Sequence, residues 1–165
     1  AARRPEDAFA RDGIAGRKVG PRPPASDPAW LAGVDAVRAA WPGVPLVTGG
    51  RSAGARIACR TWDEALAGVV ALSFPLHPPG KPERTRLDEL VPVGVPVLLV
   101  SGARDPFGTP AELEASLAGP HAGPRDLVVV PGATHSFPAR TAPLVTAAVS
   151  TFVSGLTPRG GATYS

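Results

Sequence analysis

The chain has 165 residues, of which 44% are hydrophobic and 19% charged, with a formal net charge of +3. It is long enough to bury one sizeable core and too apolar for a disordered chain. The whole excess of positive charge lies in residues 1–22, where six basic residues (Arg3, Arg4, Arg11, Arg17, Lys18, Arg22) meet three acidic ones. No aromatic-interleaved basic stripe follows, so nucleic acid is not an expected partner. No apolar run approaches the ~20 residues that span a bilayer, and the charged start does not read as a signal peptide. Cys59 is the single cysteine, which excludes an intrachain disulfide and fits a reducing, cytoplasmic compartment.

Residues 1–22 form a poorly defined basic segment in which "GIAGRKV" reads as a weak edge strand, and a Pro-rich loop follows it. "DPAWLAGVDAVRAAW" predicts a helix with Asp27 as N-cap and Pro28 at its first position. Its apolar residues Trp30, Leu31, Val34, Val37 and Trp41 recur at helical spacing. "VPLVTGG" predicts a strand, "SAGARIACRTWDEA" a helix, and "GVVALSF" a second strand. "HPPGKPERTRLDEL" reads as a Pro-rich connection with one helical turn. "VPVLLVSG" is a third strand and "TPAELEASLA" a helix with Thr109 as N-cap. "DLVVVPG" is a fourth strand, and "APLVTAAVSTFVSGL" a final amphipathic helix. The strands are near-continuous Val/Leu runs rather than alternating ones, as expected for a parallel sheet covered by helices on both faces. One α/β domain over residues 23–157, followed by a tail at 158–165, is the expected organisation.

Chemistry concentrates at the ends of these strands. Gly50-Arg51-Ser52-Ala53-Gly54 matches G-x-S-x-G between a predicted strand and a predicted helix. In a nucleophile elbow the serine occupies a strained turn, and the positions two residues either side must be tiny. The alternative is a structural glycine-rich turn. A serine nucleophile also needs a base and an orienting carboxylate. Three histidines are available. His135, in "PGATHSF", follows the fourth strand. His121 lies in a loop at the opposite edge and reads as solvated. His77, in the Pro-rich connection, is a candidate for the pocket wall or for a structural role. Asp105, in "GARDPFGTP", follows the third strand in a turn fixed by Pro106 and Gly108, with Phe107 beside it as a second pocket candidate. Its other reading is an Asx-turn or a helix cap. Asp126 precedes its strand, at the wrong end of the sheet, and Asp88 and Glu89 sit in the middle connection. Ser52, Asp105 and His135 thus follow in the order Ser, acid, His, each at a strand's C-terminal end.

With "FPLHPPGKPE", "RDPFGTP" and "GATHSF" added to the elbow, the chain from about residue 14 to the last helix resembles a family of small α/β-hydrolase-like proteins. That family is the type of testis-expressed protein thirty and the third regulatory subunit of the NSL complex, and it has bacterial dienelactone-hydrolase-like members. The Ala-, Arg-, Gly- and Pro-rich composition is similar to that of a bacterial member. The resemblance implies an α/β-hydrolase fold, a three-layer sandwich with a mostly parallel sheet. It implies Ser52 as nucleophile, Asp105 as acid, His135 as base and the Ala53 backbone N–H in the oxyanion hole. Arg51 matches the basic residue that often precedes the serine. No cofactor or metal is implied. Only 51 residues precede Ser52, where such folds have roughly 70–100, and no His-Gly loop for the second oxyanion donor occurs among them. The expectation is therefore an N-terminally truncated hydrolase lacking the first strands. The activity expected is that of a serine hydrolase on an ester or related acyl bond of a small molecule. The alternatives are a non-catalytic interaction module of the same fold or an inactive truncated form.

Overall fold

In a computed structural model of the protein, residues 26–119 and 122–156 are described. The elements run α1 (Asp27–Ala40), β1 (Leu46–Arg51), α2 (Ala53–Arg60), β2 (Leu66–Leu72), α3 (Leu87–Leu90), β3 (Val97–Gly102), α4 (Pro110–Leu117), β4 (Arg125–Val130), a 3₁₀ turn (Ala139–Thr141) and α5 (Ala142–Gly155). The four strands form one sheet in the order β1-β2-β3-β4, every pair parallel. The expected edge strand "GIAGRKV", His121 and the tail lie outside the described residues.

Alternation along the central strands divides the core in two. Val69 and Ala71 of β2 and Val97 and Leu99 of β3 join Ala55, Ala58 and Cys59 of α2, Leu90 of α3 and Leu113 of α4 on one face. Val70, Leu98 and Val100 point the other way, onto Phe152, with Val145, Ala148 and Val149 of α5 packed alongside. Helix, sheet and helix therefore make three layers, and both faces of β2 and β3 are buried. That is why these strands carry unbroken apolar runs.

Several boundaries differ from the sequence reading for local reasons. The N-cap of α1 is Ser26 rather than Asp27. Asp27 instead takes Arg60 of α2 in a two-pronged ion pair, with N–O distances of 2.6 and 2.9 Å. Helix α2 stops at Arg60, five residues short of the predicted end. There Thr61 turns its hydroxyl back to the Ile57 carbonyl at 2.8 Å, and Asp63 leaves the helical path to accept the Ala65 N–H and to bind Arg38. Strand β2 stops at Leu72 because Ser73 turns left-handed (φ 47°). Strand β3 starts after Pro96, which has no N–H for the ladder and offers only its carbonyl, to Val69. The capping expected at Thr109 is present as a reciprocal capping box with Glu112.

Candidate functional site

The C-terminal ends of β1, β3 and β4 open onto one place, and a loop from each brings a side chain there. Ser52 follows β1 directly, with φ 55° and ψ −114°, a conformation that costs an L residue of order 1–3 kcal/mol. It is held by its N–H, which donates to the Leu72 carbonyl at 2.9 Å, and by its carbonyl, which accepts from Arg56 N at 3.2 Å. The turn also needs Gly50: a Cβ there would lie 2.6 Å from the Gly54 carbonyl carbon. Gly54 departs from the expectation, since a Cβ on it would meet nothing within 4 Å. The close approach is made by Gly54 backbone onto Gly50, so only one of the two positions must lack a side chain. Arg51 ends β1 with its side chain exposed. Ala53 is the first residue of α2, where a backbone N–H has no carbonyl within the helix to reach.

His135 arrives on the loop after β4. Its Nε2 lies 2.8 Å from Ser52 Oγ, and its Nδ1 lies 2.9 and 3.1 Å from the two carboxylate oxygens of Asp105. A carboxylate only accepts, so Nδ1 carries the proton, and Nε2 of the neutral ring presents its lone pair to the Ser52 hydroxyl. Asp105 is 1% exposed. Its Oδ1 also accepts the Phe107 N–H at 2.9 Å, so the Asx-type turn and the imidazole contact exist together on one carboxylate. The ring of Phe107 stands 4.2 Å from that of His135, tilted by 36°. His77 is buried, with Nδ1 on the Pro78 carbonyl at 2.8 Å and Nε2 3.3 Å from Glu112 Oε1.

Two contributors go beyond the sequence reading, which gave Gly102 no part and placed Glu89 only in the middle connection. Gly102, the last residue of β3, lets the His135 loop cross against the strand end. A Cβ there would lie 2.1 Å from the Thr134 carbonyl oxygen and 2.7 Å from that of Ala133. The crossing is pinned by Arg104 N–H donating to the Ala133 carbonyl at 3.0 Å. A glycine closing an apolar strand was the available signal. The second is Glu89 of α3, which binds Arg56 and Arg60 of α2 and so braces the helix behind Ser52 against its neighbour.

Among the described residues no group of three or more His, Cys, Asp or Glu side chains is placed to hold a metal ion. None of their helices is long and apolar enough to cross a membrane.

The fold has relatives among solved structures. A Xanthomonas campestris α/β serine hydrolase described as without lid superposes with a TM-score of 0.67 at 19% identity, over 89% of this chain and 64% of that one. An α/β serine hydrolase homologue from Coxiella burnetii gives a TM-score of 0.65 at 21% identity, over 88% and 72%. A Pyrococcus furiosus esterase gives 0.64 at 19%, over 84% and 64%. The chain thus spans 64% of the length of two of these three structures. At such identities the likeness is one of fold. No curated protein sequence gives a significant match. The model of a family described as alpha/beta hydrolase domain matches residues 12–150, and with the strand order, the strained serine and the layered core in agreement, the chain belongs to that family.

Proposed function

We propose that the protein is a serine hydrolase cleaving an ester or related acyl bond of a small molecule, with Ser52, His135 and Asp105 as a catalytic triad. One observation carries the reading: the unbroken relay from Ser52 Oγ to His135 Nε2 (2.8 Å) and from His135 Nδ1 to Asp105 (2.9 Å). His135 takes the Ser52 proton as Oγ attacks the acyl carbon, then delivers it to the leaving oxygen or nitrogen. A water repeats the sequence on the acyl-enzyme, returns Ser52 and releases the acid. Buried Asp105 holds the Nδ1–H tautomer and stabilises the imidazolium formed in each half-reaction. The Ala53 N–H, at the positive end of α2, stabilises the oxyanion, and one such donor is worth about 10²–10³ in rate. Esterase and serine hydrolase descriptions among structures of similar fold support the reaction class.

The closer kinship, to the hydrolase-like proteins of the testis-expressed and NSL-subunit type, is part of this proposal and rests on "FPLHPPGKPE" and "RDPFGTP". The reading takes a small-molecule acyl substrate as the partner, excludes nucleic acid, and places the protein in a reducing, cytoplasmic setting that suits the buried free thiol of Cys59. A fluorophosphonate probe tests the reaction. The native chain labels covalently and Ser52→Ala does not; equal labelling of both, or of neither, overturns the proposal.

A further inference from the structure

Behind the loop that carries Asp105 sits a second histidine that the proposed reaction does not use. His77 is buried, at 6% exposure. Its backbone N–H donates to the Phe107 carbonyl at 3.0 Å. The ring is held at Nδ1 and faces a carboxylate at Nε2. Nδ1 lies 2.8 Å from the Pro78 carbonyl, which only accepts, so Nδ1 carries a proton. Nε2 lies 3.3 Å from Glu112 Oε1, a close approach without hydrogen-bond alignment.

Glu112 belongs to the first turn of α4, and its other oxygen accepts the Thr109 N–H at 2.8 Å and the Thr109 hydroxyl at 2.7 Å. His77 therefore reaches the 105–109 loop twice, at Phe107 through its main chain and at Thr109 through Glu112. From Phe107 the contacts divide. The N–H binds Asp105 Oδ1 at 2.9 Å, and the ring lies 4.2 Å from the His135 ring. One buried residue thus stands behind both the acid and the base, its main chain one remove away through Phe107 and its side chain bearing on the far end of the same loop through Glu112 and Thr109.

We propose that His77, paired with Glu112, is a positioning residue: it fixes the 105–109 loop so that Asp105 and Phe107 hold the His135 imidazole against Ser52. The inference rests on the hydrolase reading, because it assigns His77 a part in that same site. A histidine that only filled core space would influence melting and not the rate. A positioning histidine influences the rate in a protein that still folds.

Two substitutions separate these cases. Glu112→Gln keeps the acceptor that a capping box needs, so α4 still starts at Thr109, but it removes the charge facing His77. His77→Gln returns an amide N–H toward Glu112, and His77→Leu returns nothing. Each variant is measured for turnover of p-nitrophenyl acetate, for its melting temperature, and for the downfield imidazole proton between His135 and Asp105, identified by its absence in His135→Gln. Because misplacement by about 1 Å costs up to ~10²-fold, His77→Leu and Glu112→Gln are expected to lower kcat about tenfold with KM held within about twofold. The downfield proton should broaden in both, His77→Gln should recover most of the rate, and the double variant should be no worse than the single ones. Unchanged kcat in folded His77→Leu and Glu112→Gln, or a His77→Gln as slow as His77→Leu, overturns the proposal. If His77→Leu fails to fold, Glu112→Gln decides. A native chain that neither turns over the ester nor takes the fluorophosphonate sinks the hydrolase reading instead. The downfield proton then still reports on His77, and an equally sharp signal in every variant sinks the positioning role.

Discussion

Ser52 Oγ and His135 Nε2, 83 residues apart in the chain, stand 2.8 Å from each other across the C-terminal edge of the sheet. The contact exists because Ser52 is held at φ 55° and ψ −114°, which lifts its hydroxyl out of the line of the strand. On the proposed reading strain and reactivity reside on one residue, and two substitutions pull them apart. Ser52→Ala removes the proposed nucleophile and keeps the strain, so kcat should fall by at least about 10³-fold while the melting temperature barely moves. Ser52→Gly loses the same activity but relaxes the backbone. It should melt higher, by about 2–4 °C for each kcal/mol of strain released in a chain of this size. Calorimetry of the two variants beside the native chain checks the difference.

Gly102 and Gly54 make opposite predictions. A methyl on Gly102 would press to 2.1 Å from the Thr134 oxygen, and the His135 loop must give way. Gly102→Ala is expected to lose about 10²-fold in kcat through displacement of the imidazole and about 1–3 kcal/mol in stability through overpacking. A methyl on Gly54 meets nothing. Gly54→Ala should retain activity within a few-fold and gain up to about 1 kcal/mol from helix propensity. Urea unfolding and probe labelling of the pair read both effects.

Arg125, at the head of β4, turns its guanidinium inward. Nη1 donates to the carbonyls of Val95, Gly123 and Pro124, and Nη2 to those of Leu90 and Val93. Burial holds its pKa below the usual arginine value. Removing the fork leaves several acceptors short of donors, so Arg125→Ala should cost about 3 kcal/mol by denaturant unfolding. Lysine puts all its donors on one nitrogen and cannot reach both groups of carbonyls, so Arg125→Lys should recover little of the loss.

Cys59 is fully buried in the α2 face of the core, and burial pushes its thiol up to about 12. A thiol whose pKa is raised in the folded state binds its proton more tightly there than in the unfolded chain, where it ionises near pH ~8.5. Its contribution to stability is complete below that pH and declines as pH rises toward the folded value. The urea midpoint should therefore fall between pH 9 and 11 more steeply in the native chain than in Cys59→Ala. Iodoacetamide at pH 8 should label the thiol only after unfolding.

Much of the architecture was legible because its signals are local. Unbroken apolar runs such as "VPVLLV" can be strands only if both faces are covered, and that already demands a parallel sheet between helices. The Thr109 cap, with Pro110 and Glu112 behind it, was likewise readable in place. Boundaries were less so. Asp27 has the chemistry of an N-cap, yet its carboxylate is drawn to Arg60 of a different helix, and Ser26 takes the cap position. Intrinsic preference lost there to a partner 33 residues away.

The candidate site divides along the same line. Residue types, their order and their places at strand ends can be read along the chain: Ser52 before Asp105 before His135. What those residues touch depends on how the strands and loops pack. That packing brought His135 between Ser52 and Asp105, made Gly102 necessary and Gly54 optional, and buried His77 behind the loop it braces. The physical reason is one of range. Periodicity, caps and turn residues act over a few positions of the chain. Contacts such as that of a Thr134 carbonyl crossing Gly102 depend on how two distant strand ends pack, and no window of sequence contains both.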